Sequence, residues 1–308
     1  MQIYDHWRDL PLTARGASVA LGNFDGVHLG HQHVIDLARR PDSALGIITF
    51  EPHPREVFAP DAPPFRLMNA TTRAHRLDWL GVERIFHLPF TAELARLSAE
   101  AFVQDVLVDG LGVAHVVVGA DFCFGKGRAG TAQDLARLGT QAGIDVTIAP
   151  LLSTEAKVYS STAIREALSQ GAPEDAARML GHWHRIDGPV LHGEKRGRTL
   201  GYPTANMSLA GLHLPRFGVY AVLVDVLEGP CHGTYHGVAS LGIRPMFGEN
   251  QPNLETFLFD FKGDLYGTQL SVALVAFLRD EMTFDGLDTL ITQMDTDSAK
   301  ARALLQTL

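Results

Sequence analysis

Cysteine is nearly absent: the 308-residue chain has two, Cys123 and Cys231, far apart and without a CxxC spacing. That argues against a disulfide framework and points to a reducing cytoplasm. Basic excess is absent as well. Lys and Arg number 26 against 35 Asp and Glu, a formal charge of −9. The chain as a whole is therefore not a basic nucleic-acid binder, although a local basic loop can still hold phosphate. No apolar run reaches the length of a membrane span. The opening MQIYDHWRDLP lacks the basic and apolar regions of a signal peptide. Low-complexity tracts and short-period repeats are missing too. What remains is 46% hydrophobic and 20% charged residues, the balance of a globular protein, in a length that predicts two domains.

The first half alternates short apolar runs with helical spacing. Residues 17–24, 44–50, 83–90, 114–122 and 144–152 read as strands, and 31–40, 71–82, 98–112 and 131–143 as helices. This rhythm predicts an α/β domain, a doubly wound parallel sheet with helices on both faces, whose ligand lies at the carboxyl ends of the strands. From about residue 184 the rhythm changes. Strand-like segments separated by Gly, Pro, Asn and Asp follow one another until a helical pattern at 285–306. A small antiparallel β-barrel with a terminal helix is expected there. The predicted domains are 1–182 and 183–308.

The stretch FDGVHLGHQH carries three histidines after an Asp-Gly turn, between a predicted strand and a predicted helix. Gly22, Gly26 and Gly30 permit close approach of a ligand to the backbone. His28 and His31, three apart, leave the first helical turn on one side. A helix start favours anions, so the pattern suits a polyphosphate. Two other readings stand beside this one. A zinc site at His28, His31 and His33 lacks a fourth ligand and a nearby cysteine, and a plain helix with surface histidines needs no ligand. A second segment, VYSSTAIREAL, opens a helix with three hydroxyls. Ser160 suits the N-cap, and Ser161, Thr162 and Arg165 form an anion clamp. A third, VVVGADFCFGKGRAG, ends a strand in a Gly-rich loop with Lys126 and Arg128. It reads as a surface loop, a lid or a purine-binding edge.

Together these segments resemble the nucleotidyltransferases with an HxGH motif, here His28-Leu29-Gly30-His31, paired with SSTxIR at 160–165. The match is closest to the adenylyltransferase half of the bacterial bifunctional riboflavin kinase/FAD synthetases, through GNFDGVHLGH, TFEPHPREVF and VGADFCFG. The resemblance implies nucleotide contacts from Gly22, Phe24, Asp25, Gly26 and Gly30. It implies charge stabilisation by His28 and His31, and β/γ-phosphate contacts by Ser161, Thr162 and Arg165, with Arg165 counted in the catalytic set. Phe50, Pro52 and Pro54 of TFEPHP become candidate flavin contacts, although the prolines also suit a shaped loop. The implied nucleophile, an FMN phosphate oxygen, is already ionised, so alignment and charge stabilisation suffice.

In the second half, GEKRGRTLGYPTANM is glycine-rich and basic without Walker A spacing. Its Lys195, Arg196 and Arg198 also suit a solvated turn. Thr204 and Asn206 share one face of an extended segment and offer neutral oxygens fit for magnesium that carries nucleotide phosphates. The run resembles GxxxGRxLGxPTAN of the riboflavin kinases, and GVYAV, RPMF, LETFLFDF and FLRDEMTF continue the likeness. It implies Gly193, Lys195 and Gly197 over the ATP phosphates, Thr204 and Asn206 at Mg2+, and Glu255 as general base for the riboflavin 5′-hydroxyl, which needs one. The chain departs from the usual family residues at Cys123 (often Arg), Ser240 (Asn), Met246 (Thr) and Phe257 (His). The expected enzyme is cytoplasmic and uses ATP with Mg2+ to convert riboflavin to FMN and FMN to FAD, with no nucleic-acid or membrane partner. Retention of one activity alone, or a non-catalytic flavin sensor, is the alternative.

Overall fold

The computed structural model describes residues 1–151, 159–192, 201–246 and 249–308. The chain divides into two compact units, residues 1–63 with 73–159 and residues 64–72 with 160–308.

The first unit is built on a six-stranded sheet: β1 (Gln2–Tyr4), β2 (Ser18–Leu21), β3 (Leu45–Glu51), β4 (Arg84–Pro89), β5 (His115–Gly119) and β8 (Asp145–Ala149). Their order is β1-β4-β3-β2-β5-β8, and every pairing is parallel. β2 is buried along its whole length, as expected for a strand covered on both faces. The core gathers Val19, Leu21, Ile48, Phe86, Val116 and Val118 with Leu107, Leu111 and Leu135 from the helices. From β2 the chain runs to β3 and β4 on one side, then returns to β5 and β8 on the other. The order therefore reverses beside β2, which makes its carboxyl end the expected ligand crevice.

Helices α1 (Leu29–Leu37), α3 (Ala70–Trp79) and α6 (Ala132–Gln141) fall where their periodicity predicts. The expected helix at 98–112 forms, but with two pitches. α5 (Ala99–Ala101) continues into a π-helix, Phe102–Leu111. Its end is capped by Arg15, whose guanidinium donates to the carbonyls of Val108, Asp109 and Gly110 at 3.0 Å. Elements not anticipated are β1 and the short helices α2 (Pro54–Phe58) and α4 (Ala92–Arg96). Lys126 and Arg128 lie exposed in a small hairpin, where β6 (Cys123–Phe124) pairs with β7 (Gly130–Thr131).

The second unit holds β9 (His184–Pro189), β10 (Ala205–Ser208), β11 (Gly218–Val226), β12 (Gly233–Met246), β13 (Glu249–Leu258) and β14 (Gln269–Arg279). They pair antiparallel in the order β10-β13-β12-β11-β14-β9. A bridge from Leu191 to Asn206 returns the last strand's end to the first, with Leu191 N–H donating to the Asn206 carbonyl at 2.8 Å. The sheet is thus nearly closed, and closure removes the exposed edges that invite pairing with other chains. Met207, Tyr220, Val222, Leu241, Leu254 and Leu274 fill the interior. On the outer face, Val219, Phe259, Val275 and Leu278 pack with Ala301 and Leu305 of the terminal helix α9 (Leu287–Leu305). Helices α7 (Ser161–Ser169) and α8 (Pro173–Leu180), the latter not anticipated, also belong to this unit, packed about Leu67 through Ile164, Leu168, Ala176 and Leu180.

Two buried polar groups of this unit yield expected results. Thr256 faces the barrel interior together with Leu254 and Leu258, pairs with Ala205 and Ala239, and is fully buried. Its hydroxyl has no hydrogen-bond partner among the described residues. Thr256→Val keeps the shape and removes the orphaned group, so the urea midpoint should rise by the equivalent of about 1 kcal/mol. The second group is His184. Burial, followed by the neighbouring His182 and His213, pushes its pKa down to about 3 from 6.5. The folded chain thus binds fewer protons than the unfolded chain. The stability this imparts is fully present above pH 6.5, fades as pH falls below it, and is gone below about 3. Between pH 7 and 5 the loss is about 2 kcal/mol. His184→Leu should flatten that part of the urea-midpoint-against-pH curve, and an unchanged slope would contradict the assignment.

Candidate functional site

The HxGH stretch begins where β2 ends. Gly22 N–H still pairs with the Ile48 carbonyl at 3.1 Å. The chain then turns through three left-handed residues, Phe24 (φ 53°), Gly26 (φ 86°) and Val27 (φ 44°). Glycine takes that conformation freely. A β-branched valine does so at a cost of about 1–3 kcal/mol, so the surrounding packing enforces the turn. Phe24, Asp25 and Val27 are all buried.

His28 is the N-cap of α1, and its Nδ1 accepts the His31 backbone N–H at 3.3 Å. That bond holds the His28 proton on Nε2. The two imidazoles stack, with centroids 3.6 Å apart and planes 17° from parallel, and the Phe24 ring lies 5.2 Å from His31. Burial, and then the His28 ring, hold the His31 pKa well below the usual histidine value. His31 is therefore neutral at neutral pH, and an arriving polyanion opposes both causes. Among the described residues, His31 Nδ1 and the side-chain oxygen of Asn23 are buried without hydrogen-bond partners. Such orphaned groups, one ring nitrogen and one acceptor, suit a polar ligand. Asn23 escaped the sequence reading because its type fits a turn as well as a site. Gly30 has a reason the sequence does not reveal: a Cβ there would sit 3.1 Å from the His28 ring and 3.6 Å from the Tyr159 carbonyl. The glycine thus makes room for the ring pair. His33 lies two residues beyond His31 on α1, and its buried Nε2 also has no hydrogen-bond partner among the described residues.

TFEPHP closes β3. The Glu51–Pro52 peptide is cis. Pro54 opens α2, which His53 caps by accepting Arg55 N–H at 3.0 Å, while Glu56 returns a bond to His53 N–H at 3.0 Å. The prolines therefore do shape this segment, as local chemistry predicts. Arg73, almost fully buried, pairs with Glu51 at 2.9 Å. Phe50 meets Phe90 edge to face at 5.7 Å, and Phe90 meets Phe58 at 5.5 Å. Phe58 is 71% exposed, so the row forms an aromatic surface beside TFEPHP. Of the three, sequence motifs mark only Phe50; Phe90 comes beside it just past the β3–β4 pairing, where its N–H donates to the Glu51 carbonyl, and Phe58 reaches Phe90 from the end of α2. Cys123 lies half-exposed in the hairpin, its thiol 3.6 Å from the Asp121 carbonyl.

In the second unit, Ser160 caps α7, accepting Ala163 N–H at 3.2 Å. Ser161 and Thr162 occupy the first turn, Thr162 exposed and Ser161 half-buried. Arg165 donates to the Phe65 carbonyl at 3.2 Å and lies over the Phe65 ring. The clamp residues thus share one helix start.

On the barrel, the register of β10, β13 and β12 aligns Asn206, Glu255 and Ser240 in one cross-strand row. Directly paired residues project to the same face. Glu255 therefore has a carboxamide on one flank and a hydroxyl on the other. Ser240 is one of the departures from the family pattern, and it sits beside the candidate base. Phe257, another departure, packs its ring 4.8 Å from Tyr202. The Tyr202 hydroxyl is bonded to Asp295 of α9, and burial, then that bond, raise its pKa. Thr204 is half-buried and Asn206 is buried. Their oxygens are hard and neutral, a donor set that fits magnesium already carrying phosphates. Among the described residues no cluster of three or more His, Cys, Asp or Glu is suited to a metal ion, which leaves the zinc alternative without support. Gly193, Lys195 and Gly197 lie outside the described residues.

Comparison with known proteins gives a two-part match. A family model for FAD synthetase matches residues 11–163 and one for riboflavin kinase matches 180–305. A bifunctional riboflavin kinase/FMN adenylyltransferase of Pseudomonas fluorescens is 41% identical over 99% of this chain and 98% of its own length. The protein of that name from Escherichia coli K12 is 38% identical over 93% and 92%. A solved structure described as a macrolide-efflux protein from Streptococcus pneumoniae superposes with a TM-score of 0.83 at 31% identity, covering 97% of this chain and 98% of that one. Among the described residues no helix is long and apolar enough to cross a membrane.

Proposed function

Because this chain belongs to the bifunctional riboflavin kinase/FMN adenylyltransferase family, we propose that it makes both flavin cofactors in turn. Residues 183–308 phosphorylate riboflavin with ATP to give FMN and ADP. Residues 1–182 then transfer AMP from a second ATP to the FMN phosphate, giving FAD and pyrophosphate. The observation that carries the reading is the barrel register, in which Glu255 lies beside Asn206.

In the first reaction Glu255 takes the proton from the riboflavin 5′-hydroxyl as its oxygen attacks the γ-phosphorus. Thr204 and Asn206 hold Mg2+, which supplies charge neutralisation to the transferring phosphoryl group. In the second, the FMN phosphate needs no base. His28 and His31 stabilise charge on the α-phosphate and leaving pyrophosphate, with the turn at Gly22, Phe24, Asp25, Gly26 and Gly30 against the nucleotide. Ser161, Thr162 and Arg165 engage the β/γ-phosphates. Phe50, Pro52 and Pro54, extended by the Phe90–Phe58 row, form the flavin surface. The work is cytoplasmic, with ATP, riboflavin, FMN and FAD as its substrates and products and Mg2+ accompanying ATP.

Phosphorus NMR distinguishes the steps. Riboflavin with ATP and Mg2+ should yield ADP, and FMN supplied alone with ATP should yield pyrophosphate. Absence of either product would remove that activity from the account.

A further inference from the structure

We propose that Asn253 is a positioning residue of the phosphoryl-transfer site: it fixes which end of the Asn206 carboxamide faces the divalent cation. The proposal rests on the reading of Asn206 as a magnesium-holding residue.

Along β13, Asn253, Glu255 and Phe257 alternate with Leu254, Thr256 and Leu258 and share the outer face. Asn253 is 1% exposed, an amide removed from solvent although Glu255 and Phe257 on the same face are only half-buried. A buried amide needs partners, and its Nδ2 donates to Asn206 Oδ1 at 3.2 Å. The bond is diagonal, since Asn253 pairs with Ser208 and Asn206 with Glu255. On its other flank Asn253 pairs with Gly242, where a Cβ would stand 2.3 Å from the Glu281 carboxylate. Strand β10 thus supplies an acceptor on one side, and the Glu281 carboxylate covers the neighbouring strand on the other.

A primary amide is chemically two-ended. Its oxygen has two lone pairs, while its NH2 offers donors only. A hard cation accepts the oxygen and is repelled by the NH2. With the Asn253 donor in place, Asn206 Oδ1 is held toward Asn253 by one lone pair and keeps the other for the cation. Turned over, the two NH2 groups would face each other. Asn253 therefore selects the metal-competent orientation without touching the cation.

The test uses the full-length protein and ADP, with binding measured by calorimetry across a Mg2+ titration. Asn253→Leu deletes the donor, and Asn253→Asp replaces it with an acceptor that favours the reversed amide. Each should raise the Mg2+ needed for half-maximal enhancement of ADP binding by about tenfold, the effect of one lost hydrogen bond. Metal-free ADP affinity should be unchanged. Asn253→Thr, whose hydroxyl also donates, should stay close to wild type. FAD formation from supplied FMN should be unaffected in all three. A variant with a lowered Tm but wild-type Mg2+ dependence would mean that Asn253 is merely structural, and would overturn the proposal. If Asn253→Leu fails to fold, the Asp and Thr variants decide, because equal Mg2+ dependence in both overturns it. Asn206→Ala separates the two levels. No shift in that variant sinks the magnesium reading itself, and the proposal with it. A shift there with none in Asn253→Asp sinks the proposal alone.

Discussion

Replacing Glu255 with Gln is expected to lower FMN formation by about 100- to 10,000-fold, the usual contribution of a positioned general base. FAD formation from supplied FMN should persist. The selectivity follows from chemistry rather than distance. A riboflavin hydroxyl is a poor nucleophile until its proton is taken, whereas an FMN phosphate is already an anion. Gln keeps the size and hydrogen-bonding capacity of the side chain beside Asn206 and Ser240 and removes only its basicity. A retained kcat with raised KM for riboflavin would show that Glu255 binds substrate instead of accepting its proton. Parallel loss of both activities would indicate misfolding, which a melting curve would reveal.

The converse result is expected at the other site. His28→Ala with His31→Ala should reduce FAD formation by at least about a thousandfold and leave FMN formation intact. Removing one preorganised donor to developing charge commonly costs about 100- to 1,000-fold, and the effects of groups that act together do not simply add. The stacked rings and the Nδ1 cap mean that His28 also has a structural task. His28→Asn separates the two tasks, because asparagine is a strong N-cap without an imidazole. It should restore the melting temperature lost in His28→Ala, a cap being worth about 1 kcal/mol, without restoring FAD synthesis. Recovery of activity in His28→Asn would make the histidine a cap and nothing more.

Much of the fold was legible because its strands obey strong rules. β2, β3 and β5 are apolar runs bounded by turn residues, and the barrel strands alternate between interior and outer face. What escaped was set by tertiary contact. The buried pairs of the π-helix, 102/103, 106/107 and 110/111, recur every four residues, a spacing that a short α-helical stripe also accommodates, so periodicity does not distinguish the two over ten residues. The short helix α2 depends on His53 acting as a cap, a task histidine seldom announces. For the sites, motif spacing located the histidine pair, the hydroxyl-rich start of α7 and the PTAN strand. It did not reveal the left-handed Phe24 and Val27, because nothing in either side chain marks a strained backbone. Nor did it give the reason for Gly30, which is the His28 ring.

Residues brought together only by strand register were the least visible. Ser240 is fifteen positions before Glu255 in the chain yet directly beside it in the sheet, and Asn253 reaches Asn206 across 47 residues. The departure at Ser240 therefore touches the candidate base directly. Phe257, by contrast, joins an aromatic contact with Tyr202, which is itself tied to α9.

The most direct measurement is a time course of flavins separated by chromatography after the protein is mixed with riboflavin, excess ATP and Mg2+. The account predicts that riboflavin declines, FMN rises, and FAD accumulates after FMN as the end product. Unchanged riboflavin, with FMN likewise unchanged when it is supplied instead, would contradict it.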